Sequence, residues 1–137
     1  MQTYPGGCHC GALEFRYFTS VPTSQWEVRA CQCSFCRAHG GLTTSDPFGS
    51  LSLTATDESQ LQRYRFGTGV TEFWICRRCG VYIAATMDGF GVINVRTLKP
   101  LPSVLPEPIA MQYGEESPQG RRERRVDRWT PLTALAP

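Results

Sequence analysis

Seven cysteines in three closely spaced groups are the residues of this 137-residue sequence best suited to chemistry. The densest group contains Cys31, Cys33 and Cys36, close enough for one tight turn to direct all three sulfurs to a single point. Cysteine thiolates bind Zn²⁺ in a tetrahedron at about 2.3 Å, and a site with only three protein ligands keeps its fourth position for water or a substrate. The spacing therefore predicts a zinc site with one open position.

Disulfides and redox-active thiols are the alternatives to metal binding. Seven is an odd number, so disulfide formation would leave at least one thiol unpaired. The four cysteines outside the densest group also lie close together in sequence, as Cys8/Cys10 and Cys76/Cys79. A thioredoxin-like redox pair belongs in a βαβ context, which this sequence does not indicate. The clustering therefore favours a metal.

The motif Cys76-Arg77-Arg78-Cys79-Gly80 follows a strand-like run over residues 71–75. In the knuckle of a structural zinc site, N–H groups of the turn donate to the first sulfur, and the glycine accepts the strained backbone angle. The glycine-flanked pair Cys8 and Cys10 lies in a similar turn, since Gly6-Gly7 precede it. Both motifs are typical of loops that fold around an ion.

Spacing does not decide which thiols share an ion. The two C-x-x-C pairs could form a zinc ribbon, which would leave Cys8, Cys10 and Cys31 over. Alternatively, the N-terminal pair could join Cys76 and Cys79 in a closed four-thiolate site, and the group of three would keep its own open site. The second arrangement uses all seven thiols, but local spacing permits both.

Side chains near the cysteines are candidates for supporting roles. His39 could complete the tetrahedron or move a proton, or it could be a surface or capping residue beside Gly40-Gly41. Arg37 could lower the pKa of a neighbouring thiol or simply be solvated. In an extended C-x-C the side chain of His9 points away from both flanking sulfurs, so we expect it to face solvent.

The elements that position these residues are expected to be short strands of one domain spanning residues 1–137. Hydrophobic residues make up 41% and charged residues 19%, which is typical of a globular chain, and 13 glycines with 10 prolines indicate many turns. The alternation of Leu13, Phe15 and Tyr17 predicts a strand with one packed face. The predicted fold class is mainly β. Further strands are predicted over 26–30, 42–45, 51–54, 62–66, 71–75, 81–85 and 91–95, with a helical turn over 37–41.

Charge and hydropathy limit the expected partners. The net charge of +2 does not by itself imply nucleic acid. Residues 121–128 contain five arginines, which could bind phosphates, but the interleaved Glu123 and Asp127 and the adjacent Trp129 favour a segment held against the domain by salt bridges and an aromatic anchor. No leader-like start and no run of eighteen apolar residues is evident. We therefore expect a cytoplasmic protein without membrane or nucleic-acid partners; the oligomeric state is not indicated.

The order of the cysteine motifs resembles that of the glutathione-dependent formaldehyde-activating enzyme family, which includes the centromere protein V domain. The motifs are C-x-C, then C-x-C-x-x-C, then Phe-x-x-C-x-x-C-G, and they cover about residues 3 to 98; the Pro- and Arg-rich segment 99–137 is outside the resemblance. The resemblance implies a β-tent fold of small antiparallel sheets pinned by two zinc ions. It also implies a structural ion and a catalytic ion. The structural ligands would be Cys8, Cys10, Cys76 and Cys79, and the catalytic ligands Cys31, Cys33 and Cys36.

The resemblance further implies a carbon–sulfur lyase. Zinc would bind a small thiol such as glutathione in its open position, lower the pKa of that thiol and hold it where it can add to an aldehyde such as formaldehyde. His39 or Tyr64 would move the proton, and Arg37 and Arg65 would receive the carboxylates of the thiol. The alternative is a non-catalytic, zinc-stabilised module that recognises protein or nucleic acid.

Overall fold

The computed structural model describes residues 1–133, and short strands dominate this part of the chain. The predicted class, mainly β, is confirmed. Three short 3₁₀ turns lie over Thr23–Gln25, Glu58–Gln60 and Val95–Thr97. The strands are β1 (Gln2–Gly7), β2 (Leu13–Thr19), β3 (Arg29–Cys31), β4 (Thr43–Thr44), β5 (Ser50–Ala55), β6 (Leu61–Tyr64), β7 (Glu72–Cys76), β8 (Tyr82–Met87), β9 (Phe90–Asn94), β10 (Ile109–Met111) and β11 (Thr130–Pro131); the helices are α1 (Ser34–His39) and α2 (Pro118–Arg128).

The strands form two sheets. The smaller sheet has the order β1-β2-β5, and the larger one has the order β10-β3-β4-β9-β8-β7-β6, with β11 added beside β9. The pairings are antiparallel except for β10, which runs parallel to β3. In β2 the predicted alternation is confirmed, because Leu13, Phe15 and Tyr17 are buried and the residues between them are not. Burial of one face fixes the register of this strand.

Two hydrophobic clusters form the core. The larger cluster joins the sheets through residues such as Phe15, Leu51 and Ile83, which are at most 2% exposed. The smaller cluster lies under the C-terminal helix and includes Tyr82 and Trp129. Through Trp129, this smaller cluster fixes α2 against the larger sheet.

Helix α2 is longer than the helical turns expected from the sequence. Its first N–H groups are capped by Ser117, whose hydroxyl accepts from the Gly120 N–H at 2.9 Å. Trp129 is the predicted aromatic anchor and is 7% exposed. The salt bridges, however, do not use the interleaved acids: Arg122 pairs with Asp88 at 3.2 Å, and other arginines of the helix pair with Glu116. The predicted salt bridges and aromatic anchor are present, and the acidic partners, Asp88 and Glu116, lie outside the arginine run.

Strands β1 and β10 were not predicted. β1 contains a proline and two glycines, which are depleted in strands, and β10 has only three residues. Among residues 1–133 there is no helix long and apolar enough to cross a bilayer.

Candidate metal centres and the adjoining cavity

Four sulfurs meet where the β1–β2 turn approaches the β7–β8 turn. They belong to Cys8, Cys10, Cys76 and Cys79 and lie within 4.8 Å of one another. The Cys10 and Cys76 sulfurs are 3.5 Å apart although the residues are 66 positions apart in sequence. This arrangement is the closed alternative of the two that spacing permitted.

The turn at Cys76 has the knuckle geometry expected from its sequence. The Gly80 N–H donates to the Cys76 carbonyl at 2.8 Å, and Gly80 has a φ of 78°, which favours glycine. In the facing turn the Leu13 N–H donates to the Cys8 sulfur at 3.2 Å. The first bond closes the turn at Cys76, and the second directs a backbone donor at the sulfur of Cys8.

The thiols of this group differ in acidity. Burial raises the pKa of Cys76 to about 11. Burial also raises the pKa of Cys79, but hydrogen bonds from the backbone of Cys10 and Val81 outweigh it, and the pKa falls to about 6. Four converging sulfurs with these donors match the ligand set of a closed, tetrahedral zinc site. The group fits a structural ion.

The second group of sulfurs lies at the end of β3 and the start of α1. The Cys31, Cys33 and Cys36 sulfurs lie within 4.8 Å of one another. Cys33 caps the helix, and its sulfur accepts from the Cys36 N–H at 3.4 Å. The helix predicted over 37–41 is present but begins earlier, at Ser34, because Cys33 caps its first turn. It ends before Gly40, whose φ of 67° is the left-handed conformation typical of a helix end.

The thiols of this group also differ in acidity. The hydrogen bond from Cys36 lowers the pKa of Cys31 to about 5, and the same bond raises the pKa of Cys36. Three sulfurs with one thiolate already favoured match the ligand set of a zinc site that has three protein ligands. Such a site leaves one coordination position that this group of cysteines does not fill.

A cavity of about 240 Å³ adjoins the three-cysteine group. Ligand pockets commonly have about 300–1,000 Å³, so this one suits a small molecule. All three cysteines lie on its wall, and aromatic side chains cover much of the rest. These aromatic residues are Phe66, Phe73, Tyr82, Tyr113 and Trp129.

The cavity wall is basic. Four arginines line it, and no Asp or Glu is among its lining residues. Arg29 comes from β3 and is only 6% exposed; Arg121, Arg124 and Arg125 come from α2. Burial lowers the pKa of Arg29 and lowers that of Arg125 to about 10. Even so, both guanidinium groups are cationic at neutral pH.

The supporting residues suggested by the sequence lie elsewhere. His39 is exposed and packs on the Phe35 ring at a centroid distance of 4.8 Å, outside the group of candidate metal ligands. Arg37 is exposed on α1. Arg65 pairs with Glu72. Together with Tyr64, which is 40% exposed, these residues are absent from the cavity wall.

The arginines of α2 are the functional candidates that sequence reasoning missed. Arg121, Arg124 and Arg125 have the spacing i, i+3 and i+4, which places them on one face of a helix. Trp129 continues that face by another turn. This spacing was visible in the sequence, but the run was assessed by its total charge and not by its helical periodicity.

The fold and its two cysteine groups define a class of protein: a mainly β domain with one closed and one open candidate zinc site. Within that class, residues 3–110 match the family model described as glutathione-dependent formaldehyde-activating enzyme, so the chain belongs to this family. The match includes all seven cysteines, ends within β10 and does not reach α2.

The chain also resembles a solved structure. The chain is similar to a crystal structure of a Rhodobacter sphaeroides protein, with 30% sequence identity and a TM-score of 0.58. The similarity covers 78% of this chain and 99% of the Rhodobacter protein.

Proposed function

We propose that this protein is a zinc-dependent carbon–sulfur lyase that joins a small thiol to an aldehyde and cleaves the adduct. One observation carries the proposal: the three-cysteine group forms part of the wall of a small cavity. The family to which the chain belongs is described as glutathione-dependent and formaldehyde-activating. We take glutathione and formaldehyde as the first substrates to test.

The residues assigned to the catalytic ion are Cys31, Cys33 and Cys36. A zinc ion bound there would supply a position that binds a thiol, lowers its pKa and keeps it as a nucleophile. Thiolate ligands are soft, and such a site is better suited to sulfur than to ionising water. The cysteines of the protein therefore select the type of nucleophile.

The proposed reaction is balanced without an oxidant or reductant. The substrate sulfur attacks the carbonyl carbon, a C–S bond forms, and the π electrons of C=O move to the oxygen, which takes up one proton in place of the proton lost by the thiol. The reverse reaction breaks the C–S bond. A donor near the aldehyde oxygen is the remaining requirement.

We assign proton donation to one of the two tyrosines that line the cavity, Tyr82 or Tyr113. Burial raises the pKa of Tyr82 and that of Tyr113, so both are protonated at neutral pH. His39 and Tyr64, which were the candidates from the sequence, are absent from the cavity wall. The aromatic rings around the cavity would exclude water and favour a small aldehyde.

The binding-module alternative depended on the arginine run. In the structure Arg121 and Arg124 pair with Glu116, and Arg125 lines the cavity. Much of the charge of this segment is therefore directed toward the protein and not toward solvent. This observation favours a small-molecule site over a phosphate-binding surface.

The test is exchange NMR on zinc-loaded protein with glutathione and formaldehyde at equilibrium. We expect the wild type and His39→Ala to speed exchange between free thiol and S-hydroxymethyl adduct, because His39 is outside the cavity. Cys36→Ser and Cys33→Ser should keep the fold and one zinc ion but exchange only at the uncatalysed rate. Wild-type rates in folded Cys36→Ser protein would overturn the proposal.

A further inference from the structure

The cations around the cavity are not equally neutralised. Arg29 lies 3.6 Å from a Glu27 oxygen. Arg121 and Arg124 share Glu116, at 3.7 and 2.7 Å. Among residues 1–133, no carboxylate forms an ion pair with Arg125.

Among residues 1–133, only one of the three guanidinium nitrogens of Arg125 has hydrogen-bond acceptors. One terminal nitrogen, Nη1, donates to the Thr71 hydroxyl and contacts the Met87 sulfur at 3.6 Å. Its Nε is buried and has no partner among the described residues. The guanidinium of Arg125 lies 4.7 Å from the centre of the Trp129 ring, which holds it in place but accepts no conventional hydrogen bond. A guanidinium has five N–H donors in a fixed fork, and carboxylates match that fork.

The three-cysteine site does not balance this charge. Three thiolates with one Zn²⁺ have a net charge of −1, whereas the four cavity arginines face two paired carboxylates, from Glu27 and Glu116. One positive charge is therefore left over, and Arg125 is the arginine without an acidic partner. A partly buried cation without an ion-pair partner is less stable in the free protein than in a complex with an anion.

We propose that Arg125 binds a carboxylate of the thiol substrate, so that helix α2 selects thiols that carry a carboxylate over neutral thiols. The inference rests on the proposed function, because it takes the cavity as the substrate site. It assigns specificity to a helix beyond residues 3–110, the region matched by the family model. Arg125 would be a specificity-determining residue that touches the substrate away from the reacting sulfur.

The test compares an acid with its neutral ester. The probes are S-methylglutathione, which cannot form the adduct, and its diethyl ester, with binding to zinc-loaded protein measured by calorimetry. We expect the wild type to bind the acid more tightly, and Arg125→Gln to lose roughly 10- to 100-fold of acid affinity, the usual effect of removing a charged hydrogen bond. Ester affinity should not change.

The matched control is Arg128→Gln, which removes the same charge from an exposed position of the same helix. It should keep the wild-type preference for the acid, and Arg125→Lys should restore part of it. Equal affinity of the wild type for acid and ester would overturn the inference even if Arg125→Gln failed to fold. If Arg125→Gln still binds the acid more tightly than the ester, the inference is overturned as well, whether or not the variant retains zinc.

The two proposals can fail separately. If thiol–aldehyde exchange is catalysed but Arg125→Gln leaves the acid preference intact, only the role of Arg125 is wrong. If the acid preference depends on Arg125 but no exchange is catalysed, the proposed lyase function is wrong and the carboxylate site stands.

Discussion

Replacing Trp129 by alanine should release helix α2 while the rest of the domain stays folded. Trp129 is 7% exposed and packs in the smaller core cluster with Phe73, Tyr82, Met87 and Val92. Truncating a buried tryptophan typically costs about 3–5 kcal/mol. The other links of α2 to the larger sheet include the ion pair between Arg122 and Asp88, whose side chains are 53% and 52% exposed, and such exposed pairs contribute at most about 1 kcal/mol. Hydrogen bonds from Arg125 to Thr71 and from Ser45 to the Arg128 carbonyl remain, at about 1 kcal/mol each. The loss should therefore be the largest single change in the docking of the helix.

Limited proteolysis with trypsin measures this release directly. The helix contains five of the arginines after which trypsin cleaves, and cleavage requires the helix to open. If the roughly 3–5 kcal/mol lost with the Trp129 side chain weakens only the docking of the helix, the fraction of molecules with an undocked helix should rise roughly 100- to 4,000-fold. The rate of cleavage within residues 118–128 should rise by the same factor. The cleaved product should retain the sheets and both cysteine groups.

The matched control is Trp26→Ala. Trp26 is 4% exposed and packs edge-on against Tyr4 and Tyr17 in the larger core cluster. This variant should lose a comparable amount of global stability without selective cleavage in α2. Wild-type cleavage of α2 in Trp129→Ala, or the same cleavage pattern in both variants, would refute the view that Trp129 anchors the helix.

Three further outcomes are expected. Glu116→Gln should lower the free energy of unfolding by about 1 kcal/mol at pH 7. Because the hydrogen bond from Arg124 lowers the pKa of Glu116, this stabilisation is present above the ordinary glutamate pKa and is lost as pH falls through the lower folded value. Urea titrations should therefore show the stabilities of the two proteins converging below about pH 4.5, and a difference that stays constant with pH would contradict the ion pair. Gly7→Ala should lose the zinc ion of the four-cysteine group, since a Cβ at residue 7 would overlap the Leu13 carbonyl oxygen. In the control Gly11→Ala the new Cβ meets no atom within 4 Å, so this variant should keep the ion and lose only about 1 kcal/mol of stability because of its positive φ. Equal zinc content in the two variants would refute this prediction. A chelator should remove zinc in two phases, the three-cysteine ion first, because its open position admits the chelator; release in a single phase would contradict the difference between the sites.

Local spacing carried much of the information about the site. The C-x-x-C-G turn at Cys76 and the helical turn after Cys36 are short-range structures, and each is determined by glycine at a position with positive φ. The alternation in β2 likewise reports its buried face. Local spacing could not show which cysteines share an ion. The contact of Cys10 with Cys76 joins residues that are 66 positions apart and depends on how the sheets meet. The partition of the cysteines came from family resemblance and not from spacing.

The composition of the cavity wall could not be predicted from local patterns. An arginine-rich run is usually a solvated face. The spacing of Arg121, Arg124 and Arg125 places them on one face of a helix, but it does not indicate whether that face meets the protein or solvent. Their direction depends on Glu116 before the helix and on Trp129 after it, together with the cluster that Trp129 joins. Arg37 and Arg65, which were expected to receive the carboxylates of the thiol, are not part of the cavity wall.

The central claim is that one cysteine group is closed and the other can accept a substrate sulfur. Cadmium-113 NMR of protein loaded with two cadmium ions tests it most directly, because each ion reports its own sulfur ligands. We expect two resonances, one characteristic of four thiolates and one of fewer, and glutathione should move only the second toward the four-thiolate position. A single resonance, or two resonances that glutathione leaves unchanged, would contradict the claim.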